Sequence, residues 1–113
     1  MPFFGKPPPL VRIEANLIWK VALDAQAQVY VGTCEPLNLN AMGNTWAEFQ
    51  ECANEAIGLL LADLFEDNEL EGFMRQNGWA LLSEMPPPGR TPQFDVPFGT
   101  DLTELRELIM ADA

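Results

Sequence analysis

From Leu10 to Asp24 apolar and polar residues alternate almost without interruption. Val11, Ile13, Ala15, Leu17, Trp19, Val21 and Leu23 fall on one face, with Arg12, Glu14, Asn16, Lys20 and Asp24 on the other. Successive side chains of an extended chain point to opposite faces, so this period of two predicts one long, half-buried β-strand. Asp24 to Gln28 is small and polar, and Val29, Tyr30, Val31, Thr33 and Cys34 then resume a β-rich run, which predicts an antiparallel hairpin. Glu35-Pro36-Leu37-Asn38 turns the chain again, and a short third strand is expected at Leu39 to Met42, ended by Gly43 and Asn44.

The period then changes to that of a helix. Thr45-Trp46-Ala47-Glu48 has the form of a capping box, in which the Thr hydroxyl accepts from the N–H three residues on and the Glu carboxylate reaches back to the N–H of the cap. A helix is expected from Trp46, with Trp46, Phe49, Ala53, Ile57, Leu60 and Leu64 on its apolar side and Glu48, Glu51, Glu55 and Glu66 opposite. Asn68-Glu69-Leu70-Glu71 offers a second capping box before a short helix through Phe73 to Gln76, with Asn77-Gly78 as its stop. Trp79 to Ser83 reads as a further strand.

Proline cannot continue a helix interior or a central ladder, so the clusters Pro7 to Pro9 and Pro86 to Pro88 divide the chain. Residues 10–85 are expected to form the main α+β domain: a three-stranded antiparallel meander, one long helix and a further strand. Residues 86–113 then form a C-terminal strand-helix arm. In that arm Gln93 to Phe98 is expected as an edge strand, Pro97 arguing against a central position. Asp101-Leu102-Thr103-Glu104 caps a last helix through about Met110, striped with Leu102, Leu105, Leu108 and Ile109.

Composition narrows the function. At 113 residues the chain is one domain's worth of protein, and 48% hydrophobic residues with seven Phe and three Trp exclude an acidic disordered tail. Six Lys and Arg against 17 Asp and Glu give a formal net charge of -11, a field that repels phosphate backbones and favours a basic partner. Histidine is absent, which removes the commonest general base and transition-metal ligand. Cys34 and Cys52 are too few for a disulfide scaffold and lack CxxC spacing, so they read as buried thiols of a cytoplasmic protein. No apolar stretch reaches the ~18 residues of a membrane span, and no export signal is apparent. No cofactor or metal ligand set is expected.

The run Cys34-Glu35-Pro36-Leu37, then Gly43-Asn44-Thr45-Trp46-Ala47-Glu48, then Asn54-Glu55-Ala56-Ile57 resembles the HicB-like antitoxin family, over roughly residues 10–83. In that family a strand ends in a similar proline turn, a short strand leads to Gly-x-Thr-x-x-Glu, and the helix carries an Asn-x-Glu-Ala-Ile-like run. The resemblance implies a partial RNase H-like fold of order β-β-β-α-β without the nuclease carboxylates. It also implies a non-enzymatic protein that blocks a small basic HicA-type RNA-cleaving toxin. Members usually add a helix-turn-helix or ribbon-helix-helix DNA-binding domain. Residues 84–113 are expected to hold one strand and one helix, with Arg90 and Arg106 as their basic residues, short of the strand plus two helices of a ribbon-helix-helix unit.

The candidate partner-binding residues are therefore Glu48, Glu51, Glu55 and Glu66, against the plainer reading of a solvated helix face. The candidate oligomer contacts are Phe94, Val96 and Phe98 with Leu102, Leu105 and Ile109, apolar surface that exchange of the arm between subunits would cover. Two other readings stand beside the toxin-binding one: a self-associating structural or regulatory module, and a metal-dependent nuclease using Glu14, Asp24 or Glu35. Trp19, Trp46 and Trp79 are expected as packing anchors in preference to a ligand platform.

Overall fold

The structure, a computed structural model, describes residues 8–24 and 26–101. Its elements run β1 (Leu10–Glu14), β2 (Ile18–Asp24), β3 (Val29–Cys34), β4 (Leu39–Gly43), α1 (Trp46–Glu66), α2 (Leu70–Asn77), β5 (Ala80–Leu81), β6 (Gln93–Asp95) and β7 (Gly99–Asp101). This is a mixed α+β protein in which antiparallel strands precede a long helix. Its described residues fall into two units, 16–57 with 97–101 and 8–15 with 58–96, so the chain passes from one to the other within α1.

The first unit is built on the meander β2-β3-β4, in which Lys20 lies opposite Thr33, Asp24 opposite Val29 and Tyr30 opposite Gly43. β7 completes the sheet by running parallel to β2, giving the order β4-β3-β2-β7. On its buried face Val21, Gly32 and Ala41 stand in one cross-strand row, a shallow place left by two small residues. Phe49 of α1 fills it. A Cβ on Gly32 would lie 2.6 Å from Phe49 Cζ, and one on Gly43 would collide with the Phe49 backbone nitrogen. Trp19 meets the same ring edge-on at 5.9 Å between centroids, and Trp46 stacks on it at 5.5 Å. Trp46 in turn meets Tyr30 at 5.3 Å, so three aromatic residues from two strands and the helix surround Phe49 or its neighbour.

The helix begins as the capping pattern predicts, with Thr45 Oγ1 accepting from the Glu48 N–H at 3.1 Å. The Glu48 carboxylate accepts from the Asn44 N–H at 3.0 Å, one residue before the cap rather than at it. The buried positions of α1 are Phe49, Ala53, Ile57, Leu61 and Phe65. That corrects the expected stripe, which ended on the half-buried Leu60 and Leu64. Each four-residue step advances ~40° around a helix of 3.6 residues per turn, so the buried line winds about the axis instead of running straight.

In the second unit β1 is central, with β5 antiparallel on one side and β6 parallel on the other. The ladder beyond β5 is extended by single bonds: Leu82 N–H to the Arg12 carbonyl at 2.8 Å and Arg12 N–H to Ser83 Oγ at 2.9 Å. Val11, Ile13, Leu61, Phe65, Leu70, Met74, Pro92 and Val96 are the buried side chains among the described residues of this unit. α2 ends as expected on Gly78 in the left-handed region at φ 70°, where the N–H of Gly78 and Trp79 donate back to Arg75 and Met74. This is a Schellman stop, which satisfies the last carbonyls of the helix. The second capping box does not form: Glu69 caps α2 without a side-chain hydrogen bond.

Three further expectations change. The strand expected from Leu10 to Asp24 is two strands, although Val11, Ile13, Leu17, Trp19 and Val21 are all buried across the break. The further strand expected at Trp79 to Ser83 is two residues long and pairs with β1, while the strand that joins the meander is β7. The stretch from residue 86 onward is not an appended arm throughout, since β6 and β7 each pair inside a sheet. Asp101 closes β7, and the helix expected after it, with Leu102, Leu105, Leu108 and Ile109, lies outside the described residues.

Candidate functional site

The four glutamates expected on one acidic face do not share one environment. Glu48 serves the start of α1 through its bond to Asn44. Glu51 and Glu55, one helical turn apart, are exposed and make no hydrogen bond or ion pair among the described residues. Glu66 belongs to the other unit, where its Oε2 accepts from the Thr91 hydroxyl at 2.9 Å.

That bond ties the segment after the proline run to the end of α1 and lines the larger of two adjoining recesses. One, of about 140 Å³, is walled by Phe65, Leu70, Met85, Pro86 and Pro88, with Asn68 and Glu71 supplying its polar groups. The other, of about 360 Å³, shares Phe65 and Pro88 and adds Glu66, Gly89, Arg90 and Thr91. Asp63, Asp67 and Glu69, close to these residues in the chain, are exposed. The last turn of α1 contains no basic residue, so Asp63, Glu66 and Asp67 sit where the helix dipole is already negative and a cation would be favoured, whereas Glu69 and Glu71 open α2, where the dipole favours acids. Sequence reading missed this corner, because the apolar walls come from a helix end and a proline run some twenty residues apart. The only local signal was the concentration of acids from Asp63 to Glu71.

The residues weighed as a nuclease site serve other ends. Asp24 Oδ1 accepts from the N–H groups of Gln26 and Ala27 at 3.1 and 3.2 Å, which shapes the hairpin turn. Glu35 faces Lys20 at 3.5 Å across the sheet, and Glu14 lies in the other unit. Among the described residues no group of three or more His, Cys, Asp or Glu side chains is placed to hold a metal ion.

The tryptophans are packing residues as expected. Trp19 is fully buried between Phe49 and Phe98, and Trp79 meets Phe73 edge-on at 5.3 Å. Trp19 Nε1 is the one buried side-chain polar atom without a partner among the described residues. Three of the expected oligomer contacts have neighbours within the chain, Val96 being buried and Phe94 and Phe98 half-buried. Phe94 packs on Phe65 at 6.5 Å, Val96 is 5% exposed, and Phe98 lies against Trp19.

Apolar surface does remain exposed on the meander. Ala22, Val31 and Met42 form a cross-strand row on its outer face, with Met42 60% exposed at the sheet edge. β4 is that edge, and its five residues carry no charge and no proline.

Burial pushes the Cys34 thiol above its ordinary value, with a backbone hydrogen bond from Leu37 acting in the opposite sense. That is the behaviour of an inert core thiol, since reactive cysteines sit in exposed electropositive places.

No helix among the described residues is long and apolar enough to cross a membrane. Comparison of the chain with protein-family models, curated proteins and solved structures finds no match.

Proposed function

We propose that the chain is a HicB-like, non-enzymatic antitoxin that binds a small basic RNA-cleaving protein and occludes its working surface. The observation that carries this reading is the surplus of exposed carboxylate around the end of α1, from Asp63 to Glu71, on a chain of net charge -11. Asp63, Glu66 and Asp67 lie at the C-terminal end of α1, where acids are locally unfavourable and a basic partner would relieve them, whereas Glu69 and Glu71 open α2, whose dipole favours acids. Such a field raises the encounter rate with a basic protein and disfavours nucleic acid itself. The meander β2-β3-β4 followed by α1 supports the β-β-β-α part of the expected arrangement, while the strand alongside β2 is β7, reached after α2, β5 and β6, and not the one expected at Trp79 to Ser83. It departs from the resemblance in one respect: β7 lies beyond residues 10–83, which the resemblance covers.

The test is affinity capture by the tagged chain from its own cells at low salt, followed by elution at high salt and an RNA-cleavage assay on any small basic protein released. Cleavage suppressed at one equivalent of added chain is the expected result. Capture of no basic protein, or cleavage that continues unchanged, overturns the reading.

A second reading, self-association as a structural or regulatory module, is favoured by the uncharged edge β4. Among the described residues β4 pairs on one side alone, the arrangement that strand addition uses, and Met42 extends the apolar row to that edge. A dilution series by light scattering distinguishes the two, with a Met42→Lys variant expected to dissociate any assembly formed through this edge.

A further inference from the structure

We propose that the smaller recess at the α1–α2 corner receives an arginine side chain presented by a basic protein or peptide. The proposal rests on the basic-partner reading above and names the part of the surface that would recognise the partner.

The argument comes from what the recess can satisfy. Its walls, Phe65, Leu70, Met85, Pro86 and Pro88, are apolar, and Glu71 is the one charged residue among the described residues that line it. A wholly apolar occupant would cover the walls but strip water from the Glu71 carboxylate without replacing its hydrogen bonds, which is unfavourable. An anion would meet Glu71 with Glu69 and Asp67 close by in the chain. An arginine satisfies both requirements: its methylene stem lies along apolar walls while its planar guanidinium donates to a carboxylate and stacks on an aromatic ring. Phe65 provides the ring, and the Asn68 side chain adds a carbonyl acceptor on the same lining.

The volume also fits. About 140 Å³ lies below the range of sites for whole small-molecule ligands, roughly 300–1,000 Å³, and suits a single side chain. The adjoining recess of about 360 Å³ carries Arg90 as well as Glu66, so its charges are mixed and it is not the place for a further cation. The Thr91 to Glu66 hydrogen bond lies in the adjoining recess, which shares Phe65 and Pro88 with this one.

The experiment titrates the full chain at low salt with an acetylated Gly-Arg-Gly amide, followed by nitrogen-15 amide shifts, beside the same tripeptide carrying citrulline. Expected are shifts centred on residues 65–71 and 85–91, and binding about tenfold weaker for citrulline, which keeps the shape and loses the charge. Glu71→Gln, an exposed substitution, is expected to weaken the arginine peptide by about the same factor, while Glu51→Gln leaves it unchanged. Equal binding of citrulline, indifference to Glu71→Gln, or shifts centred on residues 48–55 overturns the proposal. Failure of the wider reading looks different. A basic RNA-cleaving protein held equally well by Glu71→Gln sinks the recess and spares the antitoxin, whereas tripeptide binding with no protein partner does the reverse.

Discussion

The two units solve the problem of burying apolar surface in different ways. The meander unit has strands of seven, six and five residues in continuous register, and a phenylalanine ring seated over a glycine that nothing larger can replace. The unit around β1 has strands of two and three residues beside it and relies on single hydrogen bonds, a Schellman stop and a proline run. Short ladders joined by loops leave recesses between their parts. Both recesses lie in the second unit, in keeping with the tendency of binding sites to occupy loops positioned by a firmer scaffold.

The largest expected difference between the units is at their phenylalanines. Phe49→Ala removes a ring that is fully buried and shared by Trp19, Trp46 and Gly32, and should cost about 3–5 kcal/mol in urea unfolding. Phe65→Ala should cost less than Phe49→Ala, because Phe65 already borders open recesses and water can occupy the space it leaves. Equal losses would mean that the second unit is packed as tightly as the first.

That contrast also explains which parts of the molecule were legible in the sequence. The hairpin, the third strand and the start of α1 were readable because each is decided locally, by alternation, by turn residues and by the Thr45 cap. The division of Leu10 to Asp24 was not readable. Alternation reports which face a side chain buries and persists through Leu17, but it carries no information on which strand the backbone pairs with. β7 was hidden for the same reason: Gly99-Thr100-Asp101 has no pattern of its own and is a strand because β2 offers it a partner. The acids of α1 were visible as a face, yet the recess beside Glu66 required residues from two distant stretches to meet, which no local pattern encodes.

Glycine substitutions sharpen the comparison at a smaller scale. Gly43→Ala places a Cβ against the Phe49 and Glu48 backbone, which cannot move independently of α1, and should destabilise by about 1–3 kcal/mol. Gly72→Ala in α2 meets nothing within 4 Å and replaces a poor helix former by the best one, so it should stabilise by about 0.5–1 kcal/mol. Opposite signs in thermal unfolding are the expected outcome, and a shared sign would remove the distinction between close packing and open surface. The helix caps give a difference of about 1 kcal/mol. Thr45→Ala should cost about that much, and Glu69→Ala, which removes no capping bond, should leave stability almost unchanged.

The smallest effect depends on pH and belongs to the meander unit. The ordinary value for the Cys34 thiol is 9.0, and burial raises it in the folded state. Below pH 9 the thiol is protonated in both folded and unfolded chains, and its contribution to stability is fully present. As pH rises past that point the unfolded chain loses the proton first. The native state then binds more protons, and stability falls until the pH passes the raised native value. Cys34→Ala abolishes this one contribution while leaving every other titrating group in place, so the difference between the two proteins isolates it. Urea midpoints measured from pH 8 to 10.5 should therefore decline more steeply for the native chain than for Cys34→Ala. Parallel declines would show that the Cys34 thiolate is accommodated in the folded state, and with it that the β3 end of the meander is open to water.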